Sequence, residues 1–220
     1  MRAMGKAAAL LLGLGLALPT GWALAAPAPA PAAAQQDSAR IVTEAQQYLN
    51  SVRTLEARFT QIAPNGVITH GTAWLDRPGR MRFQYDPPSP LLLVAGHGMV
   101  LFRDSELGQT SSIPTGQTPL GILLADQIRL QGDDLTVTDV RQLPGQAQIT
   151  LVRSDAPSEG SLTLTFADDP WSLRQWTVID AQGQRTTVVL SDVKTGVSID
   201  QSLFAPVAPM TLSPNRGGGG

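Results

Sequence analysis

Apolar residues recur along this chain with two different periods, and the periods divide it into a short helical opening and a long stretch of strands. Ile41, Val42, Ala45, Tyr48, Leu49 and Val52 fall three and four apart, giving one apolar stripe on a helix that Asp37-Ser38 can cap. A second helix is predicted over Thr118 to Asp126, TPLGILLAD, where Thr118 can cap and Pro119 suits the first turn. It is apolar on nearly all sides, so it requires apolar neighbours beneath and around it.

Elsewhere the pattern alternates with period two between Gly, Pro, Asn and Asp punctuation, predicting about a dozen strands. They run over residues 55–62, 67–75, 80–85, 91–95, 99–102, 109–113, 135–140, 147–152, 162–166, 173–179 and 186–193, with a last short piece at 202–204. Turns such as Pro64-Asn65-Gly66 and Ala181-Gln182-Gly183 are too short for parallel returns, so neighbouring strands are antiparallel. One large meander is expected, and a sheet of that width curls.

Pleating assigns faces. In RMRFQY, residues 80–85, Met81, Phe83 and Tyr85 share one face while Arg80, Arg82 and Gln84 share the other. The sheet thus has an apolar face and a wet face, and two short helices are few to cover the former. Two outcomes remain open on pattern alone: a concave face with an unfilled apolar cavity suited to apolar ligands, or a fully packed sandwich.

Composition narrows the setting. Arg2 and Lys6, the uncharged run Ala7 to Leu18 and the small-x-small site Ala23-Leu24-Ala25 read as a secretory signal peptide over residues 1–25. Twelve apolar residues fall short of the ~20 that span a bilayer. Residues 26–36, APAPAPAAAQQ, are expected to be an Ala/Pro-rich linker, residues 37–214 one domain, and the NRGGGG ending, with residues 215–220, a flexible tail. Loss of the signal leaves 14 basic against 18 acidic residues, a balance unlike that of nucleic-acid-binding domains. There is no cysteine, hence no thiol nucleophile, thiolate metal site or lipid attachment point.

Catalytic signals are sparse. His70 and His97 stand in separate contexts without metal-ligand spacing, the mature chain has no GxSxG elbow, and Asp133-Asp134 and Asp168-Asp169 sit where strands begin or end. Neither a catalytic residue nor a metal or other cofactor is expected. Arg77 differs from the other charges because it precedes Pro78-Gly79 in a turn at the rim of the sheet. Its guanidinium carries five donors, enough either to be solvated or to tie several carbonyls of another segment.

Four runs, in order, resemble the periplasmic carriers of outer-membrane lipoproteins, the LolA family. LNSVRTLEARFTQ (49–61) is similar to the family's opening helix-to-strand segment, and GTAWLDRPGRMRFQY (71–85) to its G-x-x-W/L-x-x-R-P-G-x-x-R-aromatic signature. TPLGILLA (118–125) resembles its central helix and SIDQSLFAP (198–206) its last strand. Val94-Ala95-Gly96-His97-Gly98 departs from the family's V-x-D-G turn, and the ending is reduced to Leu203-Phe204-Ala205-Pro206.

The resemblance implies an incomplete antiparallel barrel of about eleven strands closed by a helical lid over an apolar cavity. It implies that Arg77 bonds to the lid as a latch and that Met81 and Phe83 line the cavity; Phe59, Trp74, Leu101, Leu120, Leu123 and Leu124 are expected to meet the acyl chains with them. The implied function is non-enzymatic: a monomer in the periplasm receives lipidated proteins from an inner-membrane ATP-driven transporter and delivers them to an outer-membrane receptor or to that membrane itself. The alternative is a carrier-like sensor of lipoproteins in an envelope stress response; such sensors carry a second domain after the carrier-like one.

Overall fold

Eleven antiparallel strands form one sheet in the computed structural model, which describes residues 31–205. In chain order they are β1 (Thr54–Ile62), β2 (Ile68–Asp76), β3 (Arg80–Tyr85), β4 (Leu91–Gly96), β5 (Met99–Asp104), β6 (Gln109–Pro114), β7 (Leu135–Leu143), β8 (Gln146–Arg153), β9 (Gly160–Asp168), β10 (Trp171–Asp180) and β11 (Arg185–Thr195). The expected signal peptide, part of the Ala/Pro tract and the C-terminal tail lie outside the described residues. Among the described residues no helix is long and apolar enough to cross a membrane.

The strand order, β6-β5-β4-β3-β2-β1-β11-β10-β9-β8-β7, corrects the expectation of one meander. Two meanders are joined where β1 pairs with β11, and the sheet stays open between its edges β6 and β7. The β6-to-β7 connection must therefore pass from one edge to the other. It carries a 3₁₀ turn at Thr115–Gln117 and the helix α2 (Leu120–Leu124), and it supplies half of the lid.

The other half is α1 (Pro31–Ser51). Its start corrects two expectations, since the helix begins inside the proposed linker and Asp37-Ser38 does not cap it. The Ala32-Ala33-Ala34-Gln35-Gln36 run has high helix propensity. Ser38 lies within the helix and donates back to the Ala34 carbonyl at 2.9 Å. Similarly, Thr118 bonds back to the Thr115 carbonyl at 2.9 Å, while Pro119 stands at the N-terminus of α2. The closing Gln201–Phe204 segment is a 3₁₀ turn with Asp200 as its cap, so the expected twelfth strand is absent there. It packs on the outer face against β3 and β4.

Register creates the core. Leu55, Leu75, Met81, Ala95, Val100 and Ile113 oppose one another in a row across β1–β6 on the inner face. On the other half, Val140, Ile149, Leu164, Trp176 and Val188 do the same. The buried stripe of α1, namely Ile41, Val42, Ala45, Leu49 and Val52, covers this face together with Leu123, Leu124, Ile128 and Leu130 of the connection. Tyr48 meets Phe166 edge-on at 6.0 Å, and Phe166 stacks on Trp171 at 5.4 Å.

Gly71 explains one small residue in the aromatic signature. It lies directly opposite Phe59, and a Cβ there would come within 2.5 Å of the Phe59 ring and collide with the Gln84 carbonyl. The missing side chain lets Phe59 lie across β2 toward Phe83 and Tyr85, at centroid distances of 4.8 and 5.1 Å. Gly71→Ala is expected to lower stability by about 1–3 kcal/mol through overpacking, read as a fall of several degrees in thermal unfolding of the purified chain. An unchanged unfolding temperature would contradict this account.

Candidate functional site

The β2–β3 turn raises Arg77 beneath the place where both lid segments end. An α-helix leaves its last carbonyls without partners and carries partial negative charge at that end. Here α1 stops at Ser51 and α2 at Leu124, and carbonyls from both ends turn toward one guanidinium. Arg77 Nη1 donates to the carbonyls of Leu49 and Val52, the latter at 3.1 Å. Its Nε donates to Ala125 O at 3.0 Å, and Nη2 to Asp126 O at 3.1 Å and Asn50 Oδ1 at 3.4 Å. The whole fork of five donors is used, with the residue only 5% exposed.

The turn backbone joins in: Arg77 N donates to Arg53 O and Gly79 N to Leu124 O, both at 2.9 Å. Burial, and then the neighbouring charge of Arg53, push the Arg77 pKa below the ordinary guanidinium value, while Asp126 opposes that shift. An arginine nonetheless keeps its charge in proteins, so these bonds do not titrate near neutrality.

Polar residues absent from the sequence-based set complete the closure. Asn50 holds Ile128 by both backbone groups, with Nδ2 donating to Ile128 O at 2.8 Å and Ile128 N donating to Oδ1 at 2.9 Å. Leu130 N donates to Gln46 Oε1 at 3.0 Å, and Arg53 reaches the Asp126 carboxylate at 2.8 Å. Gln46 and Asn50 on α1 and Arg53 just beyond its end recur at spacings of four and three, so a polar stripe borders the apolar one. That spacing was visible in the sequence, but its partners lie over 70 residues away.

Beneath the lid, Phe59, Met81 and Phe83 share the inner face, and Phe83 meets Trp176 edge-on at 5.9 Å. Leu123 and Leu124 are buried against them from above, whereas the side chain of Leu120 lies outside the described residues. The remaining cavity, bordered by Tyr48, Leu55, Met81, Leu123 and Trp176, measures about 50 Å³. Ligand pockets commonly measure ~300–1,000 Å³. The helices and the 126–130 segment thus leave little space between themselves and the concave face beneath them.

A larger open groove, about 610 Å³, separates the crossover from β7–β9. Its lining includes Ile122, Ile128, Leu151 and Leu162, with Asp133, Asp155 and Arg153 also present. No single motif announces it in the sequence, because it arises between segments brought together by the crossover.

Register places two expected cavity residues differently from the rest. Glu56, Trp74, Arg82, Val94, Leu101 and Ser112 form one row across the outer face, yet Trp74 still borders the 50 Å³ cavity, whereas Leu101 does not. Trp74 Nε1 donates to Glu56 Oε2 at 3.2 Å, and Leu101 gives way to its neighbour Val100 on the buried side. The reason is parity: contiguous apolar runs such as Ala73-Trp74-Leu75 and Val100-Leu101-Phe102 do not declare their inner face, and only pairing with β3 sets it.

Arg80 and Arg82, expected to face water, are also engaged. Arg80 pairs with Asp76 at 2.9 Å, and Arg82 Nη1 donates to Leu203 O at 3.0 Å, holding the C-terminal turn against the sheet. His70 shares a hydrogen bond with Thr60 at 3.0 Å, and His97 is exposed in the β4–β5 turn. Among the described residues, no group of three His, Cys, Asp or Glu side chains could hold a metal ion.

The curated outer-membrane lipoprotein carrier protein of Methylococcus capsulatus is 29% identical over 181 residues, covering 78% of this chain and 85% of its own. Its namesake in Azotobacter vinelandii is 30% identical over 181 residues with the same coverages. A solved LolA superfamily protein from Nitrosomonas europaea superposes with a TM-score of 0.43 at 10% identity, covering 77% of this chain and 97% of its own. The family described as outer membrane lipoprotein carrier protein LolA matches residues 50–207, a span that takes in Arg77, the aromatic strand and the crossover, and the chain belongs to that family.

Proposed function

We propose that this protein is a periplasmic, non-catalytic carrier. It takes lipoproteins released by an ATP-driven transporter of the inner membrane, shields their acyl chains between lid and concave face, and yields them to an outer-membrane receptor or to that membrane. It works as a monomer. The observation that supports this reading most is the latch, a single guanidinium closing two lid segments over an apolar face.

The energetics favour a lid that resists opening. Burial of each methylene is worth about 0.8 kcal/mol, so a chain of roughly sixteen carbons gains about 12 kcal/mol, enough to hinder release when left uncompensated. Loading must open the 50 Å³ cavity, which exposes Leu49, Val52, Leu123 and Leu124 to rearrangement and strips the carbonyl partners from Arg77. These losses offset part of the burial gain. Cargo is held, but not irretrievably.

Arg77→Leu removes the donor while leaving the carbonyls of Leu49, Val52, Ala125 and Asp126 under the lid, at roughly 1–3 kcal/mol per unsatisfied group in the closed form. The competent open state becomes more populated, and apparent affinity rises with it. The variant is expected to load lipidated cargo at least about tenfold more tightly and to transfer it to outer-membrane acceptor vesicles more slowly, with Arg77→Lys between the two. Unchanged loading together with unchanged transfer in a purified assay would sink the latch. If neither wild type nor Arg77→Leu binds a fluorescent fatty acid, the carrier reading itself falls.

Asn50→Ala separates lid closure from sheet stability. Loss of the paired bonds to Ile128 is expected to accelerate amide hydrogen exchange at Ile128 and Leu130 by about tenfold, while the β1–β11 ladder keeps its protection. Equal acceleration in both regions would show that Asn50 serves global stability instead.

A further inference from the structure

The two edges of the open sheet are treated differently by the chain. β7 is blunted: it carries a bulge between Val137 and Asp139 and an Arg141–Asp139 ion pair at 2.6 Å, devices that discourage another strand from adding. β6, QTSSIP, has no charge and no bulge, all six residues are exposed, and among the described residues nothing pairs with its outer side.

The register identifies which backbone groups are unpaired. Thr115 N donates to Gly98 O at 2.9 Å, so Gly98 and Thr115 form a hydrogen-bonded pair. Such pairs alternate along an antiparallel ladder. Val100–Ile113 and Phe102–Ser111 are then bonded pairs, while Leu101–Ser112 and Arg103–Thr110 are not. The N–H and C=O groups of Thr110 and Ser112 therefore point away from β5. Pro114 falls in the same phase, where its missing N–H takes nothing from the ladder.

This edge continues the apolar concave face. Phe102 and Ile113 share the inner side with Phe83 and Met81, yet they are 38% and 48% exposed, beyond the reach of the lid. Chains lying on the concave face can thus lead over Phe102 and Ile113 to the β6 rim.

We infer that β6 is a strand-addition site for cargo polypeptide: the extended segment next to the acylated residue pairs with Thr110 and Ser112 through main-chain hydrogen bonds. The inference rests on the carrier reading and deepens it. Acyl chains are common to all lipidated cargo and so is the peptide backbone, whereas side chains differ. An uncharged edge that bonds only main chain suits a carrier that accepts many sequences.

The test uses two probes with the mature chain, a diacylated cysteinyl lipopeptide bearing a six-residue tail and a fluorescent fatty acid. Ser112→Pro deletes an outward N–H while sparing the β5 ladder, and is expected to weaken lipopeptide binding roughly three- to tenfold with fatty-acid binding unchanged, Ser112→Ala behaving as wild type. To guard against a misfolded variant, wild type is also titrated with lipopeptides N-methylated at single tail positions. Weakening at alternate positions supports strand pairing; uniform or absent effects overturn it. Equal lipopeptide affinity for Ser112→Pro and wild type also overturns it, while leaving the carrier reading intact if the fatty acid binds. Failure of wild type to bind either probe overturns the carrier reading as well. A concentration-dependent dimer abolished by Ser112→Pro would assign the edge to a second copy and overturn the cargo assignment.

Discussion

Two helix ends facing one guanidinium form the constraint on which this structure turns. Carbonyls at the ends of α1 and α2 need donors, and burial under a lid keeps water from supplying them. Arg77 meets that need with a planar fork whose reach matches several acceptors at once, which a lysine ammonium on a flexible stem cannot reproduce. The same bonds tie both lid segments to the β2–β3 turn, above a cavity of about 50 Å³.

The strand order makes those bonds possible. Because β1 pairs with β11, the segment between β6 and β7 has to travel between opposite edges of the open sheet. It crosses where α1 already lies, so the two lid segments meet although they are separated by more than 60 residues of sheet. Asn50 and Gln46 then bond directly to the backbone of Ile128 and Leu130, making the crossover follow the helix.

Legibility in the sequence followed the sharpness of each local pattern. β3 emerged with the predicted bounds because RMRFQY alternates without ambiguity, and Met81, Phe83 and Tyr85 occupy one buried face. The apolar stripe of α1 was equally clear from Ile41 to Val52. The faces of Trp74 and Leu101 were not legible because both parities of their strands are apolar, leaving the decision to their neighbours across the sheet. The helix start at Pro31 reflects Ala and Gln propensity overriding a plausible cap, and the Gln201–Phe204 turn reflects an Asp200 cap within a run that resembled a strand.

By itself, the sequence determined the two periodicities, the antiparallel sense of the hairpins, the apolar face of each sharply alternating strand and the presence of a many-donor side chain in the Arg77 turn. These follow from interactions between residues close along the chain, where spacing alone carries the geometry. The joining of β1 to β11, the convergence of the two helix ends on Arg77, the small space left beneath the lid and the unequal treatment of the β6 and β7 edges were decided only by the tertiary structure. Each depends on which distant segments become neighbours, and burial and hydrogen-bond satisfaction choose those neighbours over the chain as a whole.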